Sequence, residues 1–431
     1  MITASYTVPG MTITDHQVEV PLDWFDENET TSITVFAREI VDPTRRGDDL
    51  PYLVFLQGGP GGKGPRPTEA TGWLGHALRT HRVVLLDQRG TGRSSRIDGL
   101  IITAIGDDAA AAAYLRHFRA DSIVKDAEFL RRTVFGDKPW STLGQSYGGF
   151  LTLSYLSFAP EGLRACYVTG GLASVTPDAS EVYRRTYPRT EGKNRQFYTR
   201  YPHDEAVVSR IADLLAAGDV LLPDGDTLTV RRFQSIGIDF GMKPGFERMH
   251  WLIDEAFATG PERLSETFLS QVQARSNYAD NPLFAVMQES IYATDGAGAT
   301  GWAAEQERNR LPQFAETARP LLFTGEMMYP WMFEEIRALT PFRGAVELLA
   351  AATDWSPLYD LAALASNDVP VAAAVYYDDM YVDAHLQLDT AGRVGNTQAW
   401  VTNEYEHDGI ASDRVFTRLT ELVAQNGGER Q

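Results

Sequence analysis

Three apolar runs, each breaking off into a glycine-rich turn, constrain this chain more than anything else in it. Residues 51–57 (PYLVFLQ), 82–86 (RVVLL) and 140–143 (WSTL) read as short strands, followed by 58–62 (GGPGG), 87–92 (DQRGTG) and 144–150 (GQSYGGF). Runs this apolar suit strands buried on both faces, as in a parallel sheet covered by helices. Before the third run, Ile123, Val124, Ala127, Leu130 and Val134 recur near the helical spacing, which predicts a helix capped by Asp121. A further helix is expected over 150–159, stopped by Pro160. Strand and helix therefore alternate, and such sheets carry their sites at the carboxyl ends of the strands. All three glycine turns fall on that edge.

The third turn carries chemistry. Ser146 stands between Gly144 and Gly148 where a strand gives way to a helix. A turn this tight forces the serine into strained backbone, and only glycine on either side leaves room for it. The helix that starts beneath it directs its first N–H groups toward developing negative charge. A nucleophilic serine needs a base, and the base needs an orienter, in the chain order Ser, acid, His. Residues 369–376 (VPVAAAVY) form an apolar strand with Asp378 and Asp379 directly behind it; 398–402 (QAWVT) is the last strand expected, and His407 lies in the loop after it. His385 also follows the acids, but at the start of an expected helix, which leaves His407 the better base.

Together the segments 58–62 (GGPGG), 87–94 (DQRGTGRS), 144–149 (GQSYGG), 376–380 (YYDDM) and 406–409 (EHDG) resemble the proline iminopeptidases, closest to their longer bacterial subgroup. The resemblance runs through nearly the whole chain. It implies an α/β-hydrolase fold, with a mostly parallel central sheet flanked by helices and an inserted, mainly helical cap. It also implies a serine exopeptidase that releases N-terminal proline from peptides through an acyl-enzyme, without metal or cofactor. Carried over, the nucleophile is Ser146, the base His407 and the acid Asp379 rather than Asp378. The oxyanion donors are the backbone N–H groups of Gly59 and Tyr147. Glu289 and Glu326 match two glutamates that bind the imino group, and Tyr329 is a further candidate for the substrate pocket. One departure stands out: Gln57 occupies a place where the family often has histidine.

Other readings compete. The same triad under a cap could cleave esters or other N-terminal residues, and a noncatalytic binding protein could use the same scaffold. The turn 87–94 reads as a structural fastening rather than part of the catalytic set. Residues 59–64 (GPGGKG) also satisfy G-x-G-x-x-G, with Asp87 ending the next strand, as in a dinucleotide-binding oxidoreductase. That fold needs a helix to open at the glycines, and Pro65 and Pro67 interrupt one. A Walker loop fails because position 57 is Gln and no Ser or Thr follows Lys63.

At 431 residues, the chain exceeds one sheet domain, and 43% hydrophobic with 11% aromatic content excludes disorder. The expected organisation is a core over 1–174, a helical cap over 175–355 and a second part of the core over 356–431, with residues 16–41 forming an antiparallel hairpin at the sheet edge. The net charge of −19 argues against a nucleic-acid partner. No apolar run is long enough to span a membrane. The single cysteine, Cys166, and a start without a basic, apolar leader pattern lead us to expect a cytoplasmic location. Subunit number is left open, a homo-oligomer included.

Overall fold

The computed structural model describes residues 1–218, 220–258, 260 and 263–430. Nine strands form one sheet: β1 (Ile2–Val8), β2 (Met11–Pro21), β3 (Ser32–Val41), β4 (Tyr52–Leu56), β5 (Arg82–Asp87), β6 (Trp140–Gln145), β7 (Leu163–Thr169), β8 (Val371–Tyr376) and β9 (Thr397–Thr402), in the order β1-β2-β3-β5-β4-β6-β7-β8-β9. From β5 to β9 neighbouring strands run parallel; β1, β2 and β3 join antiparallel at one edge. This is the α/β-hydrolase fold. Its order reverses around β4, so the crevice between the carboxyl ends of β4 and β6 is where such a sheet opens a site.

The apolar runs are buried on both faces, as their composition requires. In β4, Val54 and Leu56 join the core on one side while Leu53 and Phe55 join that on the other; in β5, Val84 and Leu86 part from Val83 and Leu85 in the same way. Each such side chain contributes roughly 1.5–3 kcal/mol of burial. Helices Ala120–Thr133 and Tyr147–Phe158 cover the first face, and Gly72–Ala77 and Asp413–Gln425 the second. From β7 to β8 the chain is helical, beginning with Ala179–Arg200, and among the described residues it holds only an isolated bridge between Leu221 and Thr227.

Three local expectations need correction. The sheet edge is β1, whose side chains are mostly exposed and so leave no apolar stripe to read; the expected hairpin is the β2–β3 pair inside it. Asp121 does not cap its helix: the cap position is Arg119, and the Asp121 carboxylate accepts from Ser122 N and Ser356 Oγ, both at 2.8 Å. The helix after the serine starts at Tyr147, not at residue 150.

The glycines of that turn let the helix lie against the sheet. A Cβ at Gly148 would stand 1.9 Å from Leu56 O, and one at Gly149 2.3 Å from Gly171 O. Gly148→Ala is expected to destabilise the protein by at least about 1–3 kcal/mol, because a backbone oxygen cannot swing aside as a side chain can. Urea unfolding followed by circular dichroism checks this.

Candidate functional site

Ser146 sits at the junction of β6 and the helix Tyr147–Phe158 with φ 53° and ψ −123°, a conformation that costs a non-glycine residue on the order of 1–3 kcal/mol. Two backbone bonds hold it there: Ser146 N donates to Thr169 O (3.0 Å), and Gly149 N donates to Ser146 O (2.7 Å). The serine is 8% exposed and faces the first glycine turn, where a Cβ on Gly58 would meet Ser146 Cβ at 3.0 Å.

His407 follows β9, and its Nδ1 lies 2.7 Å from Asp379 Oδ2. Asp379 is fully buried, and its other oxygen accepts from Tyr381 N (2.8 Å) and Val382 N (3.2 Å). With one oxygen occupied, the other is presented to the imidazole. Nδ1–H then donates to the carboxylate and Nε2 keeps its lone pair free. Burial depresses the basicity of His407, but the charges of Asp379 and Glu326 and the Asp379 hydrogen bond outweigh it, and the net shift is upward. Asp378 is exposed, as is His385, whose ring meets Tyr377 edge-on.

Serine and histidine flank the same corner of the sheet. Ser146 N is bonded to Thr169, and a Cβ on the next residue, Gly170, would lie 3.2 Å from His407 Nδ1. Among the described residues no hydrogen bond joins Ser146 Oγ to His407; such contacts commonly tighten only once substrate is bound. The backbone N–H groups of Gly59 and Tyr147 have no protein acceptor among the described residues. Gly59 has φ 132° and its turn folds so tightly that a Cβ would stand 2.8 Å from Gly62 N. The Tyr147 ring packs on Phe150, with ring centroids 5.6 Å apart.

The expected amine-binding residues are placed unequally. Glu326 lies in the electrostatic reach of His407 and Asp379, has no cationic partner among the described residues, and is pushed up to about 7 by burial. Glu289 is also pushed up to about 7 by burial, but both its oxygens are engaged, Oε2 by Ala303 N (3.1 Å) and Oε1 by Ala304 N (3.0 Å) at the start of the helix Ala303–Arg308. Tyr329 is 1% exposed, with its hydroxyl 2.9 Å from that of Tyr187. Gln57 turns its backbone oxygen to Gln88 Nε2 (2.8 Å).

The second glycine turn is a fastening. The fully buried Asp87 accepts from Gly64 N (3.0 Å), Arg93 N (2.9 Å) and the Arg66 guanidinium, while Arg89 pairs with Asp126. This removes the dinucleotide reading: Asp87 has no oxygen spare for a ribose, and after β4 the first helix opens only at Gly72. Among the described residues, no three or more His, Cys, Asp or Glu side chains cluster to hold a metal ion.

Sequence reasoning missed the residues that hold the histidine loop from above. His407 N donates to Gly241 O (3.0 Å), Lys193 Nζ pairs with Glu406 (2.6 Å), Lys243 Nζ donates to Glu404 O (2.6 Å), and the Tyr381 hydroxyl donates to Ile238 O. Lys193, Ile238, Gly241 and Lys243 all belong to the stretch between β7 and β8, and nothing in their spacing marks them.

Residues 51–203 match a family profile described as alpha/beta hydrolase fold. The chain is 46% identical to a proline iminopeptidase of Aeromonas sobria over 97% of its own length and 98% of that protein's. The chain belongs to the proline iminopeptidase family. It is also 35% identical to the proline iminopeptidase aneH of Aspergillus aculeatus, over 94% of this chain and 92% of the relative. Among solved structures, a 2-hydroxy-6-oxo-6-phenylhexa-2,4-dienoate hydrolase from a Rhodococcus strain covers 95% of this chain and 99% of its own at 14% identity and a TM-score of 0.42. In this proline iminopeptidase the carboxylate of Glu326 lies within electrostatic reach of His407.

Proposed function

We propose that the protein is a serine aminopeptidase that releases N-terminal proline from peptides, with Ser146 as nucleophile, His407 as base and Asp379 as its orienter. The stretch 175–355 is read as a cap over the site and the remainder as the core. The observation that carries the reading is the Asp379–His407 bond (2.7 Å) at the same corner of the sheet as a strained serine, with the Glu326 carboxylate within electrostatic reach. His407 Nε2 takes the Ser146 proton as Oγ attacks the scissile carbonyl, while Gly59 N–H and Tyr147 N–H meet the oxyanion. The imidazolium passes that proton to the departing amine. Water then repeats the route, deacylating the serine and freeing proline.

Glu326 holds the substrate ammonium, so that only the first residue reaches the serine. Glu289 adds negative potential while fixing the helix Ala303–Arg308. A cytoplasmic setting fits the buried, unpaired Cys166, whose thiol is pushed up to about 12 by burial and so stays protonated.

A panel of aminoacyl arylamides and short aryl esters tests the reading: proline arylamide is expected to be cleaved best, and a preference for esters or another N-terminal residue overturns it. The pH profile of kcat/KM gives a sharper test. Activity should fall below about 7, where Glu326 gains a proton and loses its hold on the ammonium, and the upward shift of His407 acts in the same direction by favouring the protonated imidazole, which cannot serve as base. Glu326→Gln should raise KM by about 10- to 100-fold, the loss of a charged hydrogen bond. It should also move the remaining acid limb to lower pH, because one charge that raises His407 is gone. An unmoved limb would reject the coupling.

A further inference from the structure

The catalytic side chains are almost closed off from solvent. Ser146 is 8% exposed, His407 4% and Asp379 0%, so a peptide reaches the serine only if some part of the chain moves aside. Tyr292 lies in the same neighbourhood: its ring centroid is 6.0 Å from that of Phe150, which packs on Tyr147, and the charges of Glu326, Glu289 and Asp379 all act on it. This buried ring also lines a cavity of about 30 Å³ whose other walls include Asp178 and Ser180, at the start of the helix Ala179–Arg200, and the stretch 297–300. Asp178, Ala297 and Ala299 are exposed, so the cavity runs from the surface to Tyr292. It has room for a water or two, far less than a prolyl residue needs.

The loop over that cavity, 294–301 (TDGAGATG), is fastened at its ends and nowhere between. At one end Arg119 donates to Ala293 O and Leu358 N donates to Thr294 Oγ1 (3.1 Å); at the other Gly301 N donates to Ala350 O (2.9 Å). Among the described residues, 295–299 make no hydrogen bond outside the loop. Gly296 and Gly298 have φ of 74° and 81°, and a Cβ built on either would meet nothing within 4 Å. A segment with open space around it and glycines that take either sign of φ turns at low cost.

We propose that residues 294–301 are the gate of the catalytic chamber, swinging between Ala293 and Gly301 away from the helix Ala179–Arg200 so that the first residue of a peptide enters past Tyr292. This rests on the placing of the reaction at Ser146 and adds the route by which substrate arrives. Glu289, bonded to the amides of Ala303 and Ala304, keeps the far hinge in place while the loop moves.

Bridging the gate tests it. In Ser180→Cys with Ala299→Cys, dibromobimane joins the two thiols across the cavity and fluoresces only when both have reacted, while the native Cys166 stays buried. The bridged enzyme is expected to lose about 100-fold or more in the rate at which a fluorophosphonate labels Ser146 and in kcat/KM for proline arylamide, with the unbridged variant within about threefold of native. Native labelling in the bridged enzyme overturns the proposal. So does an equal loss in either single-cysteine variant, which cannot be bridged, or a pair of thiols that dibromobimane cannot join. If the cysteine variants do not fold, hydrogen exchange of the native enzyme decides: the amides of 295–299 should exchange within seconds while those of β4 to β7 stay protected, and a loop as protected as the sheet is no gate. An unbridged enzyme that takes the fluorophosphonate but leaves proline arylamide intact would sink the aminopeptidase reading and leave the gate standing.

Discussion

Ser146→Ala is expected to lower kcat for proline arylamide by about 10⁴-fold or more while leaving the fold and the binding of free proline nearly unchanged. The loss is large because no second hydroxyl in the turn could replace Oγ: the strained residue alone is carried to the carboxyl edge of the sheet, between Gly58 and the end of β7. Binding should persist because Glu326, the proposed holder of the amine, belongs to another element. Alanine keeps the backbone bonds to Thr169 and Gly149, so thermal unfolding should shift little. Single-turnover kinetics and proline titration read the two effects separately. Retention of more than a tenth of native activity would reject Ser146 as nucleophile.

Asp379→Asn should cost about as much, roughly 10⁴-fold in kcat, although it only exchanges one carboxylate oxygen for an NH₂ of similar size. Tyr381 N and Val382 N already donate to one oxygen of this side chain, so the asparagine oxygen is drawn to them. Its NH₂ then faces His407 Nδ1, which must become an acceptor. The ring proton moves to Nε2, the nitrogen that has to take the serine proton, and the base is lost through its tautomer rather than its position. Asp378→Asn, one residue earlier and exposed, should leave kcat within about threefold, since surface charges couple weakly. Comparable losses from the two variants would show that the acid has been wrongly assigned.

The parts of this protein that were legible in sequence were those dictated by local sterics. A serine between glycines at a strand end has few solutions, and apolar runs such as VVLL can only be buried from both sides; hence β4 to β6 and their glycine turns could be read. Asp379 and Asp378 were not separable by pattern, since burial and two backbone amides distinguish them and neither is written in spacing. Glu289 looked equivalent to Glu326 for the same reason: only the folded chain shows the amides of Ala303 and Ala304 consuming it.

The bonds from Gly241, Lys193, Lys243 and Ile238 to the acid and histidine loops have a consequence for anyone wishing to broaden this enzyme. On the proposed reading of 175–355 as a cap, cover and reaction centre share the same struts, so trimming that stretch to admit bulkier chain ends would also loosen the imidazole. Wider specificity has to be carved from inside the chamber, one wall residue at a time, with the struts left standing.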